Sequence, residues 1–265
     1  MASTKREREM ARRRLQRQAE RRAQQQARRR KRVAVVSSAL AALLVIGAVA
    51  VLAKSGTKHK TAAKVAATPA ASGAGAVACG AAKPAPVAKQ TFPAEPPLSV
   101  DQKAMYTLAL DTSCGPITVT MDATKAPHTV NSLVFLADKK FYDGTFCHRE
   151  TTSPGLTVLQ CGDPEGTGGG GPGYTLAEEN LTGATYSRGV MAMAKTSAPH
   201  STGSQFFLID KDSQLPPQYT VVGTITGGLD VLDKILAIGQ DDKNGQGDGA
   251  PKQTVYLNAV TTKKV

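Results

Sequence analysis

The sequence lacks the motifs of several common kinds of catalytic and cofactor site. Its glycine-rich run from Gly166 to Gly173 has no Gly-Lys-Ser/Thr ending and does not open a helix, which excludes a phosphate-binding loop. No Cys-x-x-Cys pair occurs, and the four His are scattered without the spacing of metal ligands. We therefore predict neither a metal nor a cofactor.

Acidic residues are scarce at the N-terminus, where basic residues are concentrated. Residues 1–32 contain 14 of the 33 Lys and Arg but 3 of the 21 Asp and Glu, so this tail carries +11 of the net charge of +12. Because the remaining chain is nearly neutral, the charge says little about the folded part. A basic tail of this kind can bind nucleic acid or anionic lipid.

Charged residues are absent from residues 33–53, a run of 21 residues rich in Ala, Val and Leu. A helix of this length measures about 31 Å, enough to cross a hydrocarbon core of about 30 Å. The basic flank before it predicts a transmembrane helix with the N-terminus in the cytoplasm and the rest of the chain outside. A cleaved signal peptide is the alternative, because the run ends in the small residue Ala53. The 32 residues before the run and its length favour an uncleaved anchor.

Bulky apolar residues are rare in residues 54–98, where Ala, Pro, Gly, Lys, Thr and Ser predominate. Such a composition cannot bury enough apolar surface to offset the entropy of the chain. We therefore predict a disordered linker over residues 54–98 and a folded domain over residues 99–265. Cys79 is unusual within this linker, since a cysteine in such a tract more often has a partner than stands free.

The predicted domain alternates apolar and polar residues in short runs. Residues 105–111 and 117–121 alternate on either side of a turn, which predicts a β-hairpin. Thr129 and Asp230 are predicted caps of two helices, the first with apolar residues at helical spacing and the second over residues 231–238. Further strands are predicted at residues 145–149, 158–161, 190–194, 205–209, 220–225 and 254–261. Many short strands with two helices indicate a mainly β fold, a closed antiparallel barrel.

Gly203 to Phe207, read GSQFF, places a neutral amide beside two aromatic rings at the start of an apolar strand. A buried strand with one hydrogen-bonded Gln would look the same. Further motifs stand in order around it: CHR at 147–149, QCGD at 160–163 with the glycine loop at 166–174, MAMA at 191–194 and LPPQYTVVG at 215–223. In this order and spacing, the set resembles the cyclophilin family of peptidyl-prolyl cis-trans isomerases, from roughly residue 100 to the last residue.

The resemblance implies a closed eight-stranded antiparallel barrel capped by two helices, behind the basic tail, the transmembrane helix and the linker. It also implies an enzyme that catalyses rotation about X-Pro peptide bonds. Rotation about a peptide bond faces a barrier of about 18–20 kcal/mol, because the nitrogen lone pair is delocalised into the carbonyl. A catalyst needs a pocket for the proline ring, a grip on the carbonyl side and a donor that favours the twisted nitrogen, rather than a nucleophile or metal.

The resemblance also implies roles for individual side chains. Arg149 matches the catalytic Arg of the family, although without the resemblance we would assign it to a surface salt bridge. The expected substrate-binding residues are Gln160 and Gln205 (backbone-holding amides), Phe207 (floor of the proline pocket), Leu215 and Tyr219 (its rim), Val158 (an apolar wall), Ala194 and Lys195 (backbone contacts to the residue before proline), and Gly166 and Thr167 (the loop beside the secondary pocket).

The sequence departs from the family pattern at several positions. Three extra residues lie between Arg149 and Gln160, and Thr157 stands where the family usually has Phe, so one pocket wall is missing or supplied elsewhere. Lys195 replaces Asn, and the loop after it is longer by one residue. The absence of Trp predicts weak sensitivity to cyclosporin, because a rim Trp marks the sensitive members.

The four cysteines allow three pairings into two disulfides. Outside the cytoplasm such cysteines tend to pair. In the family barrel, the strand with Cys147 runs antiparallel to the strand with Cys161, which implies a link between these two. The remaining pair is then Cys79 with Cys114, which would tie the linker to the first hairpin.

Three hypotheses on function remain at this point. The leading one is an anchored, extracytoplasmic isomerase that assists the folding of exported proteins, with proline-containing polypeptides as partners, membrane lipid around residues 33–53 and a monomeric domain. The second is a binding module for proline-containing segments with little or no turnover. The third is nucleic-acid binding by the basic tail, but the adjacent apolar run favours a topological role for that tail.

Overall fold

The computed structural model describes residues 76–85 and 88–265. A short 3-10 helix spans Ala78–Gly80, and two α-helices follow, α1 (Pro127–Asp138) and α2 (Leu229–Leu236). The strands are β1 (Met105–Thr112), β2 (Gly115–Asp122), β3 (Arg149–Ser153), β4 (Leu156–Cys161), β5 (Val190–Met193), β6 (Phe206–Lys211), β7 (Val221–Gly227), β8 (Asp248–Gly249) and β9 (Leu257–Lys264).

The strands form one antiparallel sheet in the order β8-β3-β4-β6-β5-β7-β2-β1-β9. The predicted fold class, mainly β with two helices, is therefore confirmed. The prediction of a closed eight-stranded barrel is not confirmed. The sheet has nine strands, and β8 and β9 form its two edges. The two-residue strand β8 pairs with the outer edge of β3, and a single bridge between Phe146 and Tyr256 joins the segments that precede β3 and β9.

The core lies between one face of the sheet and the two helices. In β1, Tyr106, Leu108 and Leu110 are buried while the residues between them are more exposed, as the alternation predicts. Helix α1 buries a stripe at helical spacing that includes Val130 and Leu133. These side chains belong to one apolar cluster, and a second, smaller cluster around Phe207 lies under the candidate site.

Several predicted element boundaries are wrong for local reasons. Helix α1 begins at Pro127, whose fixed φ suits the first turn of a helix. Thr129 is inside that helix rather than its cap, and the Glu179 carboxylate accepts the backbone N–H groups of His128 and Thr129 at 3.2 and 2.8 Å instead. Helix α2 follows Gly228, so Asp230 lies in its first turn.

The predicted linker differs from the described structure over its second half. Phe92 lies against Phe135, with ring centroids 4.9 Å apart, and its N–H donates to the Pro172 carbonyl at 2.8 Å. Gly173 has a φ of +94°, and a Cβ there would lie 2.6 Å from the Phe92 carbonyl oxygen, so this contact requires glycine. Aromatic contact and a disulfide supply the burial that composition alone did not predict.

Both predicted disulfides are present, Cys79 with Cys114 and Cys147 with Cys161. The first joins the 3-10 helix to the turn between β1 and β2. The second joins the segment just before β3 to the end of β4. The implied pairing is therefore confirmed.

The predicted transmembrane helix over residues 33–53, the basic tail before it and the predicted linker up to residue 75 lie outside the described residues. Within residues 76–85 and 88–265, none of the helices has the length and apolar character needed to cross a membrane.

Candidate active site

Arg149, the first residue of β3, has its guanidinium held from two sides. Nε and Nη2 donate to Oδ1 and Oδ2 of Asp248 in β8, at 2.8 and 2.6 Å. Nη1 donates to Oε1 of Gln160 at 3.1 Å, because the antiparallel register sets Arg149 opposite Gln160 in β4. A planar guanidinium bound through three nitrogens is fixed in orientation as well as in position.

The ion pair with Asp248 keeps both partners charged. The hydrogen bond from Arg149 holds the pKa of Asp248 below its ordinary value, and the same bond raises the pKa of Arg149. The two side chains are 33% and 24% exposed, so solvent still reaches the pair. Since the pKa of Asp248 is lowered, the pair persists at neutral pH and is lost as the pH falls through that lowered value.

A chain of side-chain amides extends from Arg149 across the sheet. Gln160 Nε2 donates to Gln205 Oε1 at 2.9 Å. Gln205 Nε2 in turn donates to the carbonyl oxygens of Gly168 and Gly170 at 3.1 and 2.8 Å. The orientation of both amides is therefore set by the guanidinium on one side and by the glycine loop on the other.

The glycine loop is folded around the buried carboxylate of Asp163. That carboxylate accepts the backbone N–H groups of Glu165, Thr167, Gly168 and Gly170 at 2.6–3.2 Å. Burial would raise the pKa of Asp163, but these N–H groups outweigh it and the pKa is lowered. A Cβ at Gly170 would collide with the Asp163 side chain, so glycine at this position is a requirement of the loop.

An apolar cavity of about 150 Å³ opens beside the Arg149 guanidinium. Its lining comprises Arg149, Leu156, Val158, Gln160, Ala194, Lys195, Phe207, Leu215 and Tyr219. The Phe207 ring is 5% exposed and meets Tyr219 edge to face, with centroids 5.7 Å apart. Eight of the eleven residues predicted for the site therefore come together around one small cavity.

The other three predicted residues lie just outside this cavity. Gln205 lines a larger groove of about 610 Å³ along the glycine loop. Gly166 and Thr167 line a third cavity of about 350 Å³, which Arg149 and Gln160 also border. The three spaces are contiguous through Gln160, which lines all of them.

Leu156 supplies the pocket wall that Thr157 was expected to leave open. In β4 the side chains alternate, so Leu156, Val158 and Gln160 border the cavity, while Leu159 belongs to the main core. Thr157 is buried and does not line the cavity. The apolar wall is therefore present, one residue earlier in the chain than the family pattern indicates.

The sequence profile of the family described as "Cyclophilin type peptidyl-prolyl cis-trans isomerase/CLD" matches residues 107–262. The chain belongs to the cyclophilin family. The matched range contains every residue that lines the apolar cavity. Phe92 and Cys79 precede it, so the segment that contacts the glycine loop is additional to the matched cyclophilin domain.

Curated relatives include two mycobacterial proteins, both named probable peptidyl-prolyl cis-trans isomerase B. The one from Mycobacterium tuberculosis is 45% identical over 170 residues, which is 59% of this chain and 54% of the relative. The one from Mycobacterium leprae is 41% identical over 188 residues, 65% of this chain and 63% of the relative. This cyclophilin thus spans a little more than half the length of these relatives.

Solved structures with the same fold include a Cryptosporidium parvum cyclophilin type peptidyl-prolyl cis-trans isomerase. It aligns with a TM-score of 0.53 and 22% identity, over 60% of this chain and 98% of that chain. A second crystal structure of that protein, in the presence of the dipeptide Ala-Pro, aligns with the same TM-score and 23% identity. At this identity, the likeness establishes the fold of the cyclophilin domain.

Sequence reasoning missed Asp248, which makes the most extensive contact with Arg149. Asp248 lies within a Gly- and Asp-rich segment for which no element was predicted, and the two-residue strand β8 is too short to produce an alternating pattern. Asp163, by contrast, lay within a motif quoted for the cyclophilin family, but its role as the anchor of the glycine loop required the structure.

Proposed function

We propose that this chain is a peptidyl-prolyl cis-trans isomerase that accelerates rotation about X-Pro bonds. The observation that supports this most directly is a guanidinium with a fixed orientation at the mouth of a small apolar cavity. Isomers of X-Pro bonds exchange in tens to hundreds of seconds without a catalyst. A site that lowers this barrier must bind the twisted bond more tightly than either planar form.

The geometry assigns separate tasks to the residues around the cavity. Phe207, Val158 and Leu156 offer an apolar surface to the proline ring. Gln160 and Gln205 present amides whose orientation is already set, so that little entropy is lost when they bind a peptide backbone. Together they would hold the proline while the carbonyl side of the bond turns.

Arg149 is the donor that favours the twisted state. Its contacts with Asp248 and Gln160 use three of the five N–H groups of a guanidinium, which leaves two for a substrate. When amide resonance is lost, the nitrogen lone pair becomes localised and can accept such a hydrogen bond. A donor fixed in advance of the reaction is electrostatic preorganisation.

The test is acceleration of cis-to-trans exchange in an Ala-Pro peptide by the full chain, purified in mild detergent. Arg149→Ala should lower kcat/KM on the order of 10²–10³-fold, the usual effect of losing one preorganised donor. Arg149→Lys should recover little, because an ammonium on a flexible stem does not reproduce the planar fork. The melting temperature of both variants should stay close to that of the wild type, since exposed ion pairs contribute about 0–1 kcal/mol.

Equal acceleration by wild type and folded Arg149→Ala would refute the role of Arg149. Binding of the peptide without acceleration by the wild type would instead identify a binding module for proline-containing segments. The longer connection between Arg149 and Gln160 is the feature that favours this second function.

We also propose an anchored, extracytoplasmic form, with the helix over residues 33–53 in the membrane and exported, proline-containing polypeptides as substrates of a monomeric domain. The charge-free run after a tail of +11 supports this topology. The two disulfides support an oxidising compartment, because disulfides are rare where thiols are kept reduced. Protease added to intact cells should then degrade the domain and spare the tail, and the full chain in the soluble cytoplasmic fraction would disprove the anchor.

A further inference from the structure

Three residues border both the apolar cavity and the groove beside it, namely Gln160, Ala194 and Lys195. We call these three residues the ridge. A peptide whose proline lies in the cavity and whose neighbouring residues follow the groove has to cross the ridge. Gln160 and Ala194 are uncharged, so the charge of the ridge is that of Lys195.

The ammonium of Lys195 is largely withdrawn from solvent and has few partners. Its side chain is 9% exposed, and the nearest carboxylate oxygen, Oε1 of Glu178, lies 3.7 Å from Nζ, which is too long for a hydrogen bond. Among residues 76–85 and 88–265, Nζ makes no hydrogen bond. An ammonium has three donors, so Lys195 has unused capacity at the point where a peptide would pass.

Glu178 does not depend on Lys195 for its own contacts. Its two oxygens accept the backbone N–H groups of His200 and Ser201 at 3.1 and 3.3 Å. These bonds follow from the loop that ends at Ser201, and they remain whether or not Lys195 is engaged elsewhere. A ligand carboxylate could therefore bind the ammonium without leaving Glu178 unpaired.

We propose that Lys195 makes this site selective for substrates with Asp or Glu at one of the two positions before proline. The inference rests on the isomerase function proposed above. The other cation near the cavity, Arg149, already has a bidentate partner in Asp248 and adds less to such a preference. A carboxylate on the ridge gains a charge-assisted hydrogen bond, whereas a Lys or Arg at the same position meets like charge in a partly dehydrated place.

The experiment uses the full chain and proline peptides that differ at one position, with Glu, Gln or Lys one or two residues before proline. The expected result is that kcat/KM for the better Glu position exceeds that for Lys about tenfold, with Gln between them; tenfold equals about 1.4 kcal/mol. Raising the salt from about 0.01 M to about 1 M shortens the Debye length from about 30 Å to about 3 Å and should reduce this ratio.

Two substitutions change the charge at the ridge in opposite directions. Lys195→Met keeps the length of the side chain and should bring the Glu-to-Lys ratio close to one. Glu178→Gln removes the competing carboxylate and should raise the ratio. Lys125→Met is the matched control, because Lys125 is 62% exposed and pairs with Asp122, and it should leave the ratio as in the wild type.

The outcomes separate this inference from the function on which it rests. Acceleration of an Ala-Pro peptide with no Glu preference, or with a preference that survives in Lys195→Met, would overturn the role of Lys195 and leave the isomerase intact. If no peptide is accelerated, the dissociation constants of the Glu and Lys peptides replace kcat/KM. Tighter binding of the Glu peptide by the wild type, lost in Lys195→Met, would support the role of Lys195, and equal binding would overturn it. Absence of binding to all peptides would overturn both proposals.

Discussion

Arg149 and Glu150 are neighbours on β3 and have opposite surroundings. Arg149 borders the cavity, is 33% exposed and has a bidentate partner. Glu150 lies on the other face of the sheet, is fully buried, and neither of its carboxylate oxygens has a hydrogen-bond partner among the described residues. Both residues contact the same short strand, β8. The backbone of Glu150 pairs with Gly249, and the Arg149 guanidinium donates hydrogen bonds to Asp248.

This difference determines which of the two charges is permanent. Burial raises the pKa of Glu150 to about 7, although attraction to Lys252 opposes it. The hydrogen bond to Asp248 raises the pKa of Arg149, which stays charged at any physiological pH. One strand therefore presents a constant cation to the cavity and a carboxyl that is neutral below about pH 7 to the core. Alternation along the strand decides which residue has access to solvent and to a partner.

The largest effect is expected from removing the disulfide at the open end of the β3–β4 pair. Cys147→Ala with Cys161→Ala should lower the free energy of unfolding by about 2–5 kcal/mol. Cys147 is two residues before Arg149, and Cys161 follows Gln160 directly. Loss of the disulfide should therefore also loosen the position of these two side chains, and kcat/KM should fall. Urea unfolding and the Ala-Pro assay measure the two quantities.

The second disulfide provides the control for this experiment. Cys79→Ala with Cys114→Ala should also lower stability, but kcat/KM of the folded variant should stay at the wild-type level. Equal losses of activity in both variants would mean that the Cys147–Cys161 link has no particular effect on the site.

The raised pKa of Glu150 predicts that the free energy of unfolding falls as the pH rises. Its folded pKa of about 7 exceeds the ordinary 4.5, so the folded chain binds the proton more tightly; the resulting stability is complete below about pH 4.5 and lost by about pH 7. This difference corresponds to roughly 3 kcal/mol. Glu150→Gln mimics the protonated acid and should remove this loss, so the variant should match the wild type near pH 5 and be more stable near pH 8.

Urea unfolding at several pH values tests this prediction. Glu165→Gln is the control, because it makes the same replacement at an exposed side chain. A wild-type stability that stays flat from about pH 5 to pH 8 would show that Glu150 is paired or hydrated in solution.

The sequence was sufficient for those parts of the fold that depend on local patterns. Alternation predicted β1, β2 and most of the later strands, and glycine motifs located the loop after β4. It was insufficient where distant residues meet. Phe92 gives no sign in a Pro- and Ala-rich segment that it packs on Phe135, and Glu179 gives none that it accepts the first N–H groups of α1.

The candidate site was predicted through its motifs rather than through physical reasoning from single residues. Eight of the eleven expected residues line one cavity. Four of them lie on β3, β4 and β6, whose register fixes their direction, and the other four lie in the loops after β5 and before β7. Leu156 and Asp248 were missed for different reasons. Leu156 depends on the phase of alternation after the longer β3–β4 connection, and Asp248 depends on a strand of two residues.

The smallest effect is expected at Asp248, which acts through Arg149. Asp248→Asn keeps the size of the side chain but removes its charge and one of its two strong acceptors. The guanidinium should then sample other orientations, and kcat/KM should fall about ten- to hundredfold, the usual result of misplacing a catalytic group. We expect the loss mainly in kcat, because the apolar residues that line the cavity are unchanged. Asp101→Asn, which removes an ion pair of the same 2.6 Å length with Lys264, should have no such effect.

A double-mutant cycle separates this positioning role from a structural one. If Asp248 acts by orienting Arg149, Asp248→Asn should have almost no further effect in an Arg149→Ala background, because the group to be oriented is gone. If Asp248 instead supports the sheet edge at β8, the two losses should multiply, and the melting temperature of Asp248→Asn should fall. Multiplicative losses with a lowered melting temperature would reject the positioning role and leave Arg149 fixed by Gln160 alone.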